Sequence, residues 1–330
     1  MGLFSRMQLG VEIGHTSVKV AAVEVRGSGR GAKARLHGCK QANFDPAALN
    51  KEGEIVDVKN IVDTVKLAMK QAAPKPIKGV QALCIAVPET KVFRKVLDLP
   101  LFEREEDLAK AVALGLEQFL PEGQREVEVD YQYFGPAEDP SLQQILAVSV
   151  PKDLVASYVA LAKGLHLPLT AIDTKPSSIA RTLIGINEQK PILLLDISTD
   201  RITVALHHDQ MVRVTSIVNT GSALLADEEG KPLPEGTERD GRIERLVSLV
   251  ADEASHVLKY WSNRSGSTTM VEEIRLSGSG SMTAGLADQI SKEVGLKVNE
   301  AKPTIALPPF CDRRFYGAVG SALYGVSISA

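Results

Sequence analysis

A hairpin-like stretch near the start of the chain is repeated in its second half. When Glu12 is placed over Asp196, the segment VEIGHTSVKVA (11–21) lies over LDISTDRITVA (195–205), acid over acid and apolar over apolar. Both copies continue into a further strand and later a helix. Two apolar hairpins can look alike by chance, but the shared acid position and element order favour duplication. The repeat therefore predicts two related α/β lobes that face each other across a cleft.

The stretch between the two copies predicts a separate unit. Its strand-like and helix-like patterns follow the order β-α-β-β-α-β, which is a compact arrangement of its own. We therefore expect an α/β fold of two lobes with an inserted β-α-β-β-α-β subdomain. The first lobe is assigned to 1–90 with part of 174–190 and the helix at 312–330, the insert to 91–173, and the second lobe to 191–311 with a shortened helical part at 222–272.

Composition narrows the class of protein. A formal net charge of -3 over 330 residues argues against a nucleic-acid-binding protein, whose footprint is a strongly basic patch. No apolar run reaches the roughly 18–20 residues of a membrane span, and the first residues turn polar too quickly for a secretory signal. The three cysteines, Cys39, Cys84 and Cys311, are odd in number and far apart, which is typical of a reducing compartment. We expect a cytoplasmic protein.

Each copy of the hairpin ends in a short turn of the kind that can surround phosphate, because backbone N–H groups and hydroxyls meet the oxygens there. A third loop, LSGSGSMTAG (276–285), leads into a helix and can pass beside a sugar and a base. Glu12 and Asp196 are the candidate Mg²⁺ ligands, since this ion prefers one or two carboxylates with several waters. The candidate nucleotide-binding residues are Gly14, His15, Thr16, Ser17, Lys19, Ser198, Thr199, Gly278, Ser279 and Gly280.

These signals also have ordinary structural explanations. A serine-glycine loop before a helix is more often only a turn and a cap. His15 can meet phosphate or solvent, and Lys19 can point into the cleft or away from it. His207 and His208 follow a strand without the four placed ligands that a structural metal needs, so a solvated hairpin end is the better interpretation. No Ser-His-Asp or Cys-His arrangement stands out, and we assign no catalytic residue.

The order of the motifs resembles the actin-like ATPase superfamily, a duplicated, ribonuclease H-like fold. VEIGHTSVK is similar to its first phosphate loop, LDISTDRITV to its second, LSGSGSM to its adenosine motif, and GAVGSAL (317–323) to its second connecting helix. Within the superfamily, the insert and the series LP (99–100), Glu117, FLP (119–121) and EVEVDYQY (126–133) resemble the PilM family of type IV pilus assembly proteins, which is related to FtsA. The resemblance covers essentially the whole chain.

The resemblance implies a cytoplasmic scaffold of a type IV pilus-like machine, held peripherally at the inner membrane by the N-terminal peptide of a PilN-like protein. Other pilus assembly proteins and a second copy of the chain are further expected partners, whereas nucleic acid is not. We expect the peptide beside the strand KVFRKVLDL (91–99). ATP with Mg²⁺ is implied in the cleft, closing the two lobes as a conformational clamp. Since Ser198 replaces a preferred glycine, and since the stretch between the second and third loops is shorter than is usual in the family, we expect a degenerate site with at most weak ATPase activity.

Two other functions of the same fold stay open at this point. An ATP-dependent small-molecule kinase would need a substrate pocket and a base near the second loop, for which Asp200 is available. We expect the insert and the short second lobe to disfavour it. An FtsA-like filament-forming protein would carry an amphipathic membrane-targeting helix at its end, where this chain has YGVSISA (324–330).

Overall fold

The computed structural model describes residues 5–27, 31–120, 126–227, 233–264, 270–299 and 302–328. The strands are β1 (Ser5–Ile13), β2 (Ser17–Arg26), β3 (Lys33–Asn43), β4 (Ala73–Pro74), β5 (Val80–Val87), β6 (Phe93–Pro100), β7 (Val127–Pro136), β8 (Leu142–Pro151), β9 (Leu169–Thr174), β10 (Ile192–Ile197), β11 (Ile202–His208), β12 (Met211–Val218), β13 (Glu273–Ser277) and β14 (Lys297–Asn299). The helices are α1 (Val58–Gln71), α2 (Glu105–Glu117), α3 (Lys152–Leu165), α4 (Lys175–Leu183), α5 (Thr237–Arg264), α6 (Leu286–Val294) and α7 (Tyr316–Ala322).

The first sheet has the strand order β4-β3-β2-β1-β5-β9. β1, β2 and β3 are antiparallel neighbours, whereas β5 runs parallel to β1 and β9 parallel to β5. Parallel neighbours require crossover connections, and α1 and α3 lie within these connections. The fully buried Leu9 and Val11 place the central strand β1 in the core. α1 and α3 pack on one face of the sheet, and α7 packs on the other.

The second sheet repeats this arrangement in the order β12-β11-β10-β13-β14. Three antiparallel strands are again followed by two parallel ones. The register of the two hairpins repeats as well: Glu12 lies opposite Lys19 in the first, and Asp196 lies opposite Thr203 in the second. The predicted duplication and the two-lobed α/β fold class are therefore confirmed, down to the position of the acid.

The third sheet, in the order β6-β8-β7, belongs to the insert. α2 covers one face of it through Val112 and Leu116, which pack with Ile145 and Ala147. The two last elements of the expected six-element insert return to the first lobe: β9 pairs with β5, and the apolar face of α3 is buried in the first core. Residue 173, the expected end of the insert, lies in β9 and therefore belongs to the first sheet. The sheet pairing thus ends the insert earlier in the chain than expected. The remaining domain boundaries stay predictions.

α1 follows its sequence pattern closely. The side chain of Asp57 accepts a hydrogen bond from the N–H of Asn60 at 3.0 Å and caps the helix. Ile61 and Val65 are fully buried, as their spacing predicts. Leu67 is 47% exposed, because it lies off the stripe of residues spaced by three and four.

The segment 227–241 has the polar, Gly- and Pro-containing composition that is typical of a linker, but it ends in a helix. α5 begins at Thr237, and acids in its first turn complement the helix dipole. Residues 228–232 lie outside the described part of the chain. Leu246 and Val250 are fully buried and pack α5 onto the second sheet. None of the helices within the described ranges has the length and apolar character needed to cross a membrane.

α4 and α7 cross at backbone contact distance between the lobes. A Cβ atom at Gly320 of α7 would overlap the carbonyl oxygen of Ser178 on α4. The hydroxyls of Ser178 and Ser321 lie 3.0 Å apart, and Thr182 Oγ1 donates to the carbonyl of Tyr316 at 2.7 Å. Because only small residues permit this approach, the crossing determines how closely α4 and α7 pack.

Replacing Gly320 by alanine should destabilise the fold by about 3 kcal/mol, because the added methyl group must displace the backbone of α4. The matched control is Gly241→Ala in α5, where the added Cβ meets open space and improves helix propensity. Denaturant unfolding measures both free energies. Equal stability of the two variants would contradict the described crossing.

Candidate functional site

A cleft of about 280 Å³ opens between the lobes at the turns of the two hairpins. The turns have the same geometry: the N–H of Gly14 donates to the carbonyl of Ser17 at 2.8 Å, and the N–H of Ser198 donates to that of Arg201 at 2.9 Å. In the third loop, Gly278 has a φ of +86°, a backbone conformation that is strained for residues with a side chain. The three predicted loops therefore meet at one cleft.

Most of the predicted site residues line this cleft, and two do not. Gly280 is buried behind its loop against Ile197, and Asp196 lies beneath the floor of the cleft. His15 and Thr16 are exposed at the rim. The residues that line the cleft are Glu12, Gly14, His15, Thr16, Ser17, Lys19, Ser198, Thr199, Gly278 and Ser279.

Lys175, which no sequence motif singles out, lies between the two predicted metal ligands. It is the first residue of α4 and directly follows β9. Its Nζ lies 3.2 Å from Glu12 Oε1 and 2.8 Å from Asp196 Oδ2, and it donates to Ser198 Oγ at 2.7 Å. Lys19 Nζ lies 2.9 Å from Glu12 Oε1. These five residues form an ion cluster that joins the first lobe to the second.

The charges of the ion cluster stabilise one another. Burial alone would raise the pKa of Glu12, but Lys175 and Lys19 outweigh it and lower this pKa to about 2. Burial would also lower the pKa of Lys175, but Asp196 and Glu12 outweigh it and raise this pKa above its ordinary value. Glu12 is therefore ionised and Lys175 protonated at neutral pH.

The ion cluster does not fit a Mg²⁺ ion held by both predicted ligands. The ammonium of Lys175 contacts both carboxylates, in the space that a bridging ion would need. The other oxygens, Glu12 Oε2 and Asp196 Oδ1, are buried beside the backbone of Gly317 and Gly278 and have no hydrogen-bond partner in the described part of the chain. The described ranges also contain no group of three or more His, Cys, Asp or Glu residues able to hold a metal.

Arg201 spans the cleft from the second lobe. Its Nη2 and Nε lie 2.5 Å and 3.0 Å from Asp200 Oδ2, and its Nη1 donates to Thr90 Oγ1 at 3.3 Å on the far side. Burial raises the pKa of Asp200, but Arg201 outweighs it, so this pKa lies below its ordinary value. Asp200 is thus held as the partner of an arginine and does not fit the base that a kinase would need.

A larger groove of about 410 Å³ lies between the insert, the first lobe and the start of β12. One wall consists of Leu146, Val148 and Val150 on β8, with Glu128 and Asp130 beside them on β7. β7 and β9 are the outermost strands of their sheets, and both border the groove. The groove therefore combines an apolar wall, an acidic rim and two sheet edges.

The strand at 91–99, expected to border this groove, contributes only Arg94 to its lining. The expectation is wrong for the rest of the strand, because β8 separates it from the groove-lining strand β7. Arg94 Nε and Nη2 donate to the two oxygens of Glu89 at 2.9 Å and 3.0 Å, and Nη2 also donates to Thr174 Oγ1 at 2.9 Å. The charge of Arg94 is thus neutralised within the protein.

The groove carries unpaired acids and paired arginines. Arg181 forms an ion pair with Asp173, and its Nε donates to the carbonyl of Gly320 at 2.9 Å. Glu128 and Asp130, by contrast, form no ion pair with any side chain in the described ranges. The groove therefore presents net negative charge to a ligand.

His207 lines the groove and is only 4% exposed, so the expected solvated hairpin end is wrong for it. Burial lowers its pKa to about 3, which leaves the imidazole neutral at physiological pH. Its Nδ1 has no hydrogen-bond partner among the described residues. His208 instead packs edge-on against Trp261, with ring centroids 5.1 Å apart.

The second lobe holds the insert in place beside the groove. Arg213 Nη1 donates to the carbonyl of Phe134 at 2.9 Å, and its guanidinium lies 4.1 Å from the centroid of the Phe134 ring. Thr215 Oγ1 donates to Glu89 Oε1 at 2.9 Å. The groove is therefore formed by all three parts of the chain.

Two duplicated lobes around a cleft, with an insert of this kind, define a protein of the actin-like fold. A family model for the type IV pilus assembly protein PilM matches residues 10–224, and the chain belongs to that family. No curated protein matches the sequence.

Solved structures agree with this assignment. The chain is similar to a structure of the PilM-PilN type IV pilus biogenesis complex, with a TM-score of 0.76, 19% identity and coverage of 97% of this chain and 98% of that one. It is also similar to the ethanolamine utilization protein EutJ of Carboxydothermus hydrogenoformans (TM-score 0.53, 14% identity, 98% and 91% covered). A third similar structure is the cytoplasmic domain of EpsL from the type II secretion system of Vibrio cholerae. Its TM-score is 0.50 and its identity 9%, and the match covers 96% of this chain and 95% of that one.

Glu12→Gln should change how stability depends on pH. The folded-state pKa of Glu12 lies below its ordinary value of 4.5, so its contribution is present above that value and is lost as pH falls toward about 2. We expect the variant to be less stable than the wild type by about 3 kcal/mol at neutral pH, with a difference that shrinks in acid. Denaturant unfolding from neutral to acidic pH measures this. Glu52→Gln, at an exposed position on the cleft rim, is the control, and parallel curves for Glu12→Gln and the wild type would contradict the assignment.

Proposed function

We propose that the chain is an actin-like scaffold of a type IV pilus-like machine, and that it binds the N-terminal peptide of a PilN-like inner-membrane protein in the groove. This binding would hold a cytoplasmic protein at the inner membrane. The similar PilM-PilN structure supports the choice of partner. The observation that carries the proposal is the groove itself, because it offers sheet edges, an apolar wall and unpaired acids together.

The chemistry of the groove suits an extended peptide with apolar and basic groups. A sheet edge offers backbone hydrogen bonds, and alternate side chains of the peptide can then face the same wall. Leu146 and Val148 would accept apolar side chains. Glu128 and Asp130 would attract a lysine, an arginine or the free α-amino group of the peptide.

We also propose that the cleft holds a nucleotide with little or no turnover. The meeting of three small-residue loops supports the binding, and backbone N–H groups of such loops suit phosphate oxygens. The pairing of Asp200 with Arg201 supports the low turnover, because this acid near the second loop is held by an arginine and is not free to act as a base. Contacts with other pilus proteins and self-association stay predictions.

Asp130→Lys should weaken binding of a synthetic peptide that carries the first residues of the PilN-like protein from the same organism. We expect a loss of about tenfold, because an attractive charge at the rim becomes repulsive. Glu117→Lys on α2 is the matched control, since it makes the same charge change on the opposite face of the insert. Calorimetric titration measures both affinities, and the wild-type affinity should fall with added salt.

Two results would overturn this proposal. One is a wild-type protein that fails to bind the peptide, and the other is an equal effect of the two charge reversals. The same titrations with Mg-ATP present test the alternative function. Transfer of the terminal phosphate to a small hydroxyl compound would establish a kinase in place of a scaffold.

A further inference from the structure

The cation between Glu12 and Asp196 belongs to the polypeptide. We propose that Lys175 is the resident cation of the cleft: its ammonium takes the position in which a divalent ion would join the two acids, so the lobes are held together without metal. This inference concerns the ion cluster alone and holds independently of peptide or nucleotide binding in the proposed function.

The position of the two acids is set by the repeat. Glu12 lies near the end of β1 and Asp196 near the end of β10, each at the same place in its hairpin. The two carboxylates consequently approach one cation from opposite lobes. Lys175 starts α4 directly after β9, the outermost strand of the first sheet. It therefore reaches across from the first lobe to the second.

Three oxygens of the protein surround the ammonium of Lys175. Nζ donates a hydrogen bond to Ser198 Oγ and forms ion pairs with Glu12 Oε1 and Asp196 Oδ2. Two of these oxygens, Asp196 Oδ2 and Ser198 Oγ, belong to the second lobe. Lys175 thus serves to join the lobes.

The net charge of the ion cluster also supports Lys175 as the resident cation. Two carboxylates face two ammonium groups, Lys175 and Lys19, so the ion cluster is neutral. Asp200 nearby is paired with Arg201. A divalent ion added to this neutral cluster would have to displace an ammonium that is already placed and desolvated. Removing the ammonium would leave Glu12, Asp196 and the Ser198 hydroxyl around an opening that suits Mg²⁺ or Mn²⁺.

Lys175→Ala tests the proposal, with Lys175→Met as its matched control. Both variants lose the charge, but methionine still fills the space of the lysine stem, whereas alanine opens it. We expect millimolar Mg²⁺ or Mn²⁺ to raise the melting temperature of Lys175→Ala by about 3 °C, and to leave the wild type and Lys175→Met unchanged. Mn²⁺ binding followed by electron paramagnetic resonance gives a second readout. Asp196→Asn added to Lys175→Ala should abolish the binding.

Three outcomes would overturn the proposal. The first is a Lys175→Ala protein whose melting temperature neither Mg²⁺ nor Mn²⁺ raises. The second is a Lys175→Ala protein that cannot be recovered in folded form even when it is purified in the presence of these ions. The third is a wild-type protein that binds Mn²⁺ in a manner abolished by Asp196→Asn. Unfolding of the Lys175→Ala protein when a chelator removes the ion would support the proposal.

Discussion

The contacts of one ammonium group, Lys175 Nζ, set the relation between the two lobes. Glu12 Oε1, Asp196 Oδ2 and Ser198 Oγ surround it, and the last two belong to the second lobe. Breaking a buried ion pair by removing one partner leaves an uncompensated charge, which costs far more than the net gain from forming the pair. The ion cluster therefore acts less as a source of stability than as a constraint on how the lobes can move.

The cleft and the groove share one junction in the chain. Thr174 ends β9 and accepts a hydrogen bond from Arg94 in the groove, and the next residue, Lys175, lies in the ion cluster. Glu89 binds the same Arg94 and also accepts from Thr215 in the second lobe. The shape of the groove thus depends on the closed position of the lobes. The proposed binding of a peptide in the groove would depend on this arrangement.

The sequence predicts the duplication because the acid and the apolar alternation are local features of each hairpin. It predicts the three loops of the cleft for the same reason. The role of Lys175 depends on tertiary contacts, which the sequence does not display. The sequence shows only a lysine between the carboxyl end of a strand and a helix, a position where side chains often face a binding site. The burial of His207 and the return of β9 to the first sheet likewise depend on which partners the whole chain offers.

The family resemblance implies that nucleotide closes the lobes, whereas the ion cluster provides a closure that needs no ligand. Spin labels at Lys59→Cys on α1 and Glu244→Cys on α5 would report the distance between the lobes, and the native cysteines are buried. Pulsed electron resonance without ligand should show one narrow distance distribution that Mg-ATP leaves unchanged. A broad distribution that narrows or shifts when Mg-ATP is added would contradict the account.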